Sequence, residues 1–326
     1  MLSRRSAVFF ALSSLLFGGT FVATKAGLAY FPPLLFVAFR FDVAAVVMLT
    51  YVGLTSSRSD LLPRTRSDVA GILATGVLAI GLTNALLFVG QQYVSSAVAS
   101  IIYSLNPIMT PVFAALLLSD ERLSPRGAAG MGLGLLGVGL VVSPDPANLL
   151  GGALGKGILF TGAVTAALGA VLIRRADSDL SSTVRVAWGL PFGAALCHLL
   201  AWSGGESMAA ISWTSEAVLA LTYVSIFAGV FAYIAYFSLL DTAGAIRANL
   251  IFYVVPVVST LGGWALLDET IGGVAIVGFL TIFAGFAVLG SKSIDIRSRL
   301  PTVPTDVPLS EEESAVREEP RGYRSD

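Results

Sequence analysis

SIIYSLNPIMTPVF (100–113) and NLIFYVVPVVSTL (249–261) are apolar runs from opposite halves of one chain. Laid over each other at an offset of 148 to 150 residues, they pair Pro107 with Pro256 and Ser100 with Asn249. One residue of slip later, Asp120-Glu121 falls on Asp268-Glu269, Gly130 on Gly278 and Gly137 on Gly285. Near the starts of the halves FVAF (36–39) aligns with RVAW (185–188), and Lys25 with Arg175. These matches share one offset and occur in one order, so the chain reads as an internal repeat.

Composition says what is repeated. The chain is 55% apolar and 13% charged, about half the charge of an ordinary soluble domain. Runs near 20 residues long, enough to cross about 30 Å of hydrocarbon, fall at roughly 6–28, 33–53, 68–90, 96–118, 126–143, 156–173, 183–202, 215–239, 246–267 and 271–290. The expected fold is an all-α polytopic membrane protein with ten transmembrane helices as two inverted five-helix repeats, 6–143 and 156–290. Five is odd, so homologous halves must cross in opposite senses. The composition then shifts to PTVPTDVPLSEEESAVREEP, which cannot bury a core, and 291–326 reads as a disordered cytoplasmic tail. Arg4-Arg5 before AVFFALSSLLF has the outline of a secretory signal, but no small-x-small cleavage site follows and nine more spans do. The run reads as an uncleaved first helix.

Basic residues concentrate on the cytoplasmic side of membrane proteins. With the N-terminus inside, the inner segments hold Arg4 and Arg5, Arg58, Arg64 and Arg66, Arg122 and Arg126, Arg174, Arg175 and Arg185, Arg247, and Lys292, Arg297 and Arg299. Among lysines and arginines, the outer loops hold Lys156, with Lys25 near an outer helix end. A multi-pass protein of the cytoplasmic membrane with both termini in the cytoplasm is expected. The bilayer is then an obligatory partner and a small molecule the expected substrate.

Inverted repeats whose midplane helices are interrupted characterise secondary transporters, which bind substrate between the repeats. Pro107 and Pro256 lie near the middle of sister spans, where each removes a hydrogen bond and is expected to bend its helix. On the fourth span Ser96, Ser100, Tyr103, Pro107 and Thr110 share a face, as do Asn249, Tyr253, Pro256, Thr260 and Trp264 on the ninth. The third offers Asn84, Phe88 and Gln91, the eighth Ser225, Gly229, Tyr233 and Tyr236. Such stripes line a path or make interhelical hydrogen bonds. Hydroxyl-bearing rings suit a partly apolar organic solute better than a bare ion.

FVAFRFDVAAVV (36–47) places Arg40 and Asp42 inside an apolar span. Two such charges cost roughly 5 to 7 kcal/mol at the bilayer centre, against roughly 3 to 7 kcal/mol recovered by the neighbouring Leu, Phe and Val residues. Both must find polar neighbours. Two residues apart on a helix, they point to opposite sides and cannot pair with each other. Arg40 either satisfies local carbonyls or holds an anionic substrate group. Asp42 has no basic residue at obvious matching depth; it is either a proton-coupling carboxyl or a hydrogen-bonded helix contact.

Other classes find little here. A net charge of −1 offers no basic surface for nucleic acid. One His and one Cys provide no HExxH and no metal cluster, and no GxSxG is present. No cofactor is expected, and an intramembrane enzyme or a receptor without transport activity is the alternative class. GGALGKG (151–157) lacks the first Gly of a phosphate loop and the Ser or Thr that follows its Lys. The Gly-rich fifth and tenth spans, with Gly130 and Gly134 four apart, serve packing inside the monomer or a homodimer. Ser124-Pro125 suits a helix start.

Four blocks carry a family resemblance. GGTFVATKAGL (18–28), PPLLFVAFRF (32–41), NPIMTPVFAALLLSDERLSP (106–125) and PVVSTLGGWALLDETI (256–271) resemble segments of the EamA-type transporters of the drug/metabolite transporter superfamily. The likeness covers about 6–290. It implies ten helices in two inverted EamA domains around a central cavity lined largely by the third, fourth, eighth and ninth helices. It also implies a permease or exporter for amino acids, other metabolites or toxic compounds. Arg40 occupies the family's Arg-Phe position. Asp42 stands where the family has an apolar residue, so the resemblance gives it no role.

Overall fold

Short polar residues and prolines start the helices, and the reason is visible at each end. In the computed structural model, which describes residues 4–118, 125–142, 152–243, 251–270 and 272–295, every regular element among the described residues is helical. The long helices are α1 (Arg4–Gly27), α2 (Pro33–Thr55), α3 (Arg66–Gln91), α4 (Ser96–Leu117), α5 (Pro125–Val142), α6 (Ala153–Ala176), α7 (Ser182–Ser203), α8 (Ser215–Tyr236, continuing to 243), α9 (Ile251–Leu267) and α10 (Gly273–Asp295). Thr65 and Asp68 close a capping box on α3, which satisfies two otherwise orphaned N–H groups. The side chains of Ser95, Ser181 and Thr214 cap α4, α7 and α8. Proline occupies the first turn of α2, where no N–H is needed, and Glu206 accepts the N–H groups of Leu34 and Leu35 at 3.1 and 2.8 Å.

Seven helices among the described residues, α1 to α4 and α6 to α8, are long and apolar enough to cross a bilayer, and each falls on an expected span; α9 and α10 carry shorter apolar stretches, Val254–Leu267 and Ile276–Gly285. Leu54, Trp202 and Leu266 are largely exposed. Water would penalise such outward apolar faces, whereas lipid does not. The protein is therefore an all-helical, multi-pass membrane protein. One unit spans Met1–Gly290 and a second Ser291–Asp326; of 291–326, to which the sequence assigns a disordered tail, 291–295 are helical as the end of α10, which corrects the assignment there, and 296–326 lie outside the described residues.

Start positions recur at a fixed interval. Arg4, Pro33 and Arg66 open α1, α2 and α3, and Ala153, Ser182 and Ser215 open α6, α7 and α8 at 149 residues further on. The α-helical register gives way to π turns over Ala74–Leu82 in α3 and over Tyr223–Phe231 in α8, again 149 apart. The packing crosses between the halves: α2 lies on α7, α1 along α8 and α9, and α6 along α3 and α4. Glycine permits the closest approaches. A Cβ on Gly76 would strike the carbonyl group of Gly189 where α3 crosses α7, and Gly285 of α10 sits against the backbone of Gly130 and Gly134. The Gly130–Gly134 spacing is thus used inside the chain.

The two sister prolines behave differently. α4 breaks over Ser104 and Leu105, directly before Asn106-Pro107, whereas α9 runs through Pro256 uninterrupted. α4 carries a second proline, Pro111, one turn after the first, and its second segment runs through it without a break. α9 has one proline and stays continuous.

Candidate functional site

The π turns decide which side chains face inward. A π turn adds one residue to the turn and so rotates everything after it by about 100° relative to α-helical register. Asn84 follows the first π segment by two residues and Tyr233 follows the second by two. Side chains bond to carbonyls within and just after the first π segment. Thr83 Oγ1 donates to Leu78 O at 2.8 Å, Asn84 Nδ2 to Ile80 O at 2.8 Å, and Tyr103 OH to Thr83 O at 2.7 Å. The break in α4 similarly presents Ser104 and Asn106 to the interior.

These features meet at a cavity of about 260 Å³. The first half of the chain lines it with Phe17, Thr20 and Phe21 of α1, Arg40 of α2, Thr83, Asn84 and Leu87 of α3, and Ser100, Tyr103, Ser104 and Asn106 of α4. The second half supplies Ala166 of α6, Tyr233 and Tyr236 of α8, and Ile251, Phe252 and Val255 of α9. Its volume lies just below the roughly 300–1,000 Å³ of drug-sized sites, so the space suits a small solute. Phe17 meets Tyr233 edge to face at 5.2 Å, which fixes one wall.

Arg40 is the single cation among the lining residues described. It is 5% exposed, and its Nη1 donates to Asn84 Oδ1 at 2.9 Å. Its guanidinium carbon lies 5.5 and 5.7 Å from the ring centroids of Phe41 and Phe88, within cation–π range. Nε is buried without a hydrogen-bond partner, and among the described residues no carboxylate stands within ion-pairing distance.

Of the residues singled out from sequence, the structure brings Arg40, Asn84, Ser100, Tyr103, Tyr233 and Tyr236 to this cavity. Pro107 and Pro256 are not in its lining; the adjacent Asn106 and Val255 are. Asn249 lies outside the described residues, as do Asp120 and Glu121, and of Tyr253 only the backbone is described. Trp264 is 66% exposed and lines a separate hollow with Thr260 and Glu269. It follows Ile251 by thirteen residues, about 20 Å along the helix, which carries it past the cavity. Phe88 and Gln91 share a face with Asn84 but are buried in packing; Gln91 Nε2 donates to Phe21 O. Thr83, Asn106, Phe17 and Phe252 were not visible as site residues in the sequence. Asn106 carried a readable signal, a polar residue directly before a mid-span proline.

Asp42 does have a basic neighbour, which corrects the sequence reading. His198 Nε2 lies 2.8 Å from Asp42 Oδ2 on the face where α2 meets α7, with the two side chains 35% and 44% exposed respectively. The pair stands outside the cavity lining. Spacing within α2 holds no information on a partner 156 positions away; the packing of sister helices creates the match.

One end of the bundle is tied by a second polar cluster. Glu269, just beyond α9, accepts the N–H of Ser96 at 2.9 and 3.0 Å and its hydroxyl at 2.5 Å. Lys25 at the end of α1 donates to the carbonyls of Gln91 and Gln92 at 3.0 and 3.4 Å.

The comparisons with known proteins agree with this architecture. The chain is 28% identical over 308 residues to the uncharacterized transporter YyaM of Bacillus subtilis, covering 93% of this chain and 96% of that protein. It is 26% identical over 258 residues to the uncharacterized inner membrane transporter YedA of Escherichia coli K12, covering 79% and 81%. A solved crystal structure matches with a TM-score of 0.60 at 23% identity, over 87% of this chain and 96% of that one, and supports the fold. The EamA-like transporter family matches twice, over residues 4–143 and 153–291, and with these two domains side by side in the sequence the chain belongs to the EamA-like transporter family.

Proposed function

We propose that the protein is a secondary transporter, a permease or exporter that moves small organic metabolites such as amino acids across the cytoplasmic membrane by alternating access. The observation that carries this reading is the shared cavity, to which one half contributes Arg40, Asn84 and Tyr103 and the other Tyr233 and Phe252. A site built between two halves changes its exposure when the halves rock against each other. Helix starts and π segments 149 residues apart, together with two family matches, support ten helices in two inverted five-helix repeats, 6–143 and 156–290. The distribution of basic residues supports cytoplasmic termini. In that orientation Glu269, Ser96 and Lys25 lie at the outer end, and the cavity runs from Leu87 and Ser100, nearer that end, to Tyr236 and Ile251, nearer the cytoplasm.

The proposal extends to proton coupling through Asp42, whose carboxylate pairs with a titratable imidazole. The test is uptake of labelled amino acids and related metabolites into proteoliposomes, with and without an imposed pH gradient, for the wild type and Asp42→Asn. Accumulation is expected to follow the gradient and to fall at least tenfold in the variant. Transport that ignores the gradient and survives the substitution would reduce the Asp42–His198 pair to a helix contact, and absence of any transport would overturn the transporter reading itself.

A further inference from the structure

We infer that the cavity selects a carboxylate through Arg40 and that binding requires no ammonium group on the substrate. The inference rests on the transporter reading and names the substrate class of that same site.

The lining residues described include one cation, Arg40, and no carboxylate. A guanidinium keeps its charge at any physiological pH. Burying it is costly unless an anion or a full set of hydrogen-bond acceptors compensates. The structure supplies one acceptor, Asn84 Oδ1, and leaves Nε without any. Asp42, two residues away, is turned to the other side of α2 and engaged with His198. Arg40 is therefore an under-compensated cation held at the edge of a space large enough for a small molecule.

Geometry narrows the class. The guanidinium fork is planar and matches a planar oxyanion with two parallel hydrogen bonds. Asn84 fixes one end of the fork, and the Phe41 and Phe88 rings flank it, so its orientation is set before a ligand arrives. Phe17, Phe252 and Val255 add apolar lining and offer a place for a hydrocarbon or aromatic body. Among the lining residues described, an ammonium would meet no carboxylate to pair with. A carboxylate carrying an apolar body completes the site.

The probes are 3-methylbutyrate, phenylacetate, 3-phenylpropionate and phenylalanine, each paired with its primary amide, titrated calorimetrically into the purified full chain in nanodiscs. At least one of the first three acids is expected to bind at least tenfold more tightly than its amide. Arg40→Gln should abolish that difference and Arg40→Lys retain part of it. Should Arg40→Gln fail to fold, the acid–amide comparison on the wild type decides alone. Amides binding as tightly as their acids, phenylalanine binding while the three ammonium-free acids do not, or binding of none of the acids would each overturn the inference. Its failure is separable from failure of the transporter reading: proteoliposomes that carry an uncharged solute equally well with the wild type and with Arg40→Gln leave a transporter of a different substrate class.

Discussion

Gly76→Val is expected to yield no monodisperse protein, and Gly76→Ala to lose about 1–3 kcal/mol, the usual cost of overpacking a close contact. A Cβ at Gly76 would meet the carbonyl oxygen, carbonyl carbon and Cα of Gly189. These are backbone atoms of a second helix, so no rotamer change relieves the overlap. Gly193, one turn along α7, already lies against Gly76 O and the backbone of Gly81, and the two helices can separate only as whole bodies. Separation would also move the π segment of α3 that aims Asn84 at Arg40. Gly53→Ala provides the control, because nothing lies within 4 Å of a Cβ there; helix propensity alone predicts a gain of up to about 1 kcal/mol. A thermal ramp read by size-exclusion chromatography separates these outcomes. A Gly76→Val protein melting within a few degrees of wild type would show that α3 and α7 do not need this contact.

The sequence carried the repeat because helix ends, prolines and glycines are local events that leave a local signature. Arg40, Asn84, Tyr103 and Tyr233 were legible for a related reason: a polar group in a lipid-immersed helix is costly, so its presence announces an interior destination. What stayed hidden depends on backbone hydrogen bonding or on distant partners. Nothing in ATGVLAIGL or YVSIFAGVF states that these stretches run as π turns, yet those turns decide that Asn84 and Tyr233 face the cavity. Asp42 looked unpartnered because its mate sits on α7. Trp264 shared a stripe with interior residues and still lies beyond them, since periodicity fixes a face but not a depth. The acidic residue after α9 was readable as part of a family block, whereas its role at the start of α4 required the fold.

Glu269→Ala is expected to lower stability by about 2–4 kcal/mol, by loss of a charged acceptor from buried donors, and to open the end of the bundle where α4 begins. Ser96 is fully buried; the Glu269 carboxylate accepts its N–H and is the nearer of two acceptors for its hydroxyl, the other being the Ser259 carbonyl. A charged acceptor at a helix N-terminus gains from the helix dipole as well as from hydrogen bonding, and a buried N–H stripped of its partner costs about 1–3 kcal/mol. Gln, which keeps one oxygen and loses the charge, should fall between Glu and Ala. The contact joins a residue following α9 to the first turn of α4, so it also holds the two halves of the chain together at that end. Opening is read separately from stability by placing a cysteine at Ser259, a fully buried position whose carbonyl accepts from Ser96. The native Cys197 is buried and provides a quiet background. A membrane-impermeant maleimide should leave Ser259→Cys unlabelled when Glu269 is present and modify it several-fold faster when Glu269 is replaced by Ala. Equal labelling in both, with stability reduced, would make Glu269 a helix cap and nothing more; faster labelling would make it the latch whose release lets the halves rock.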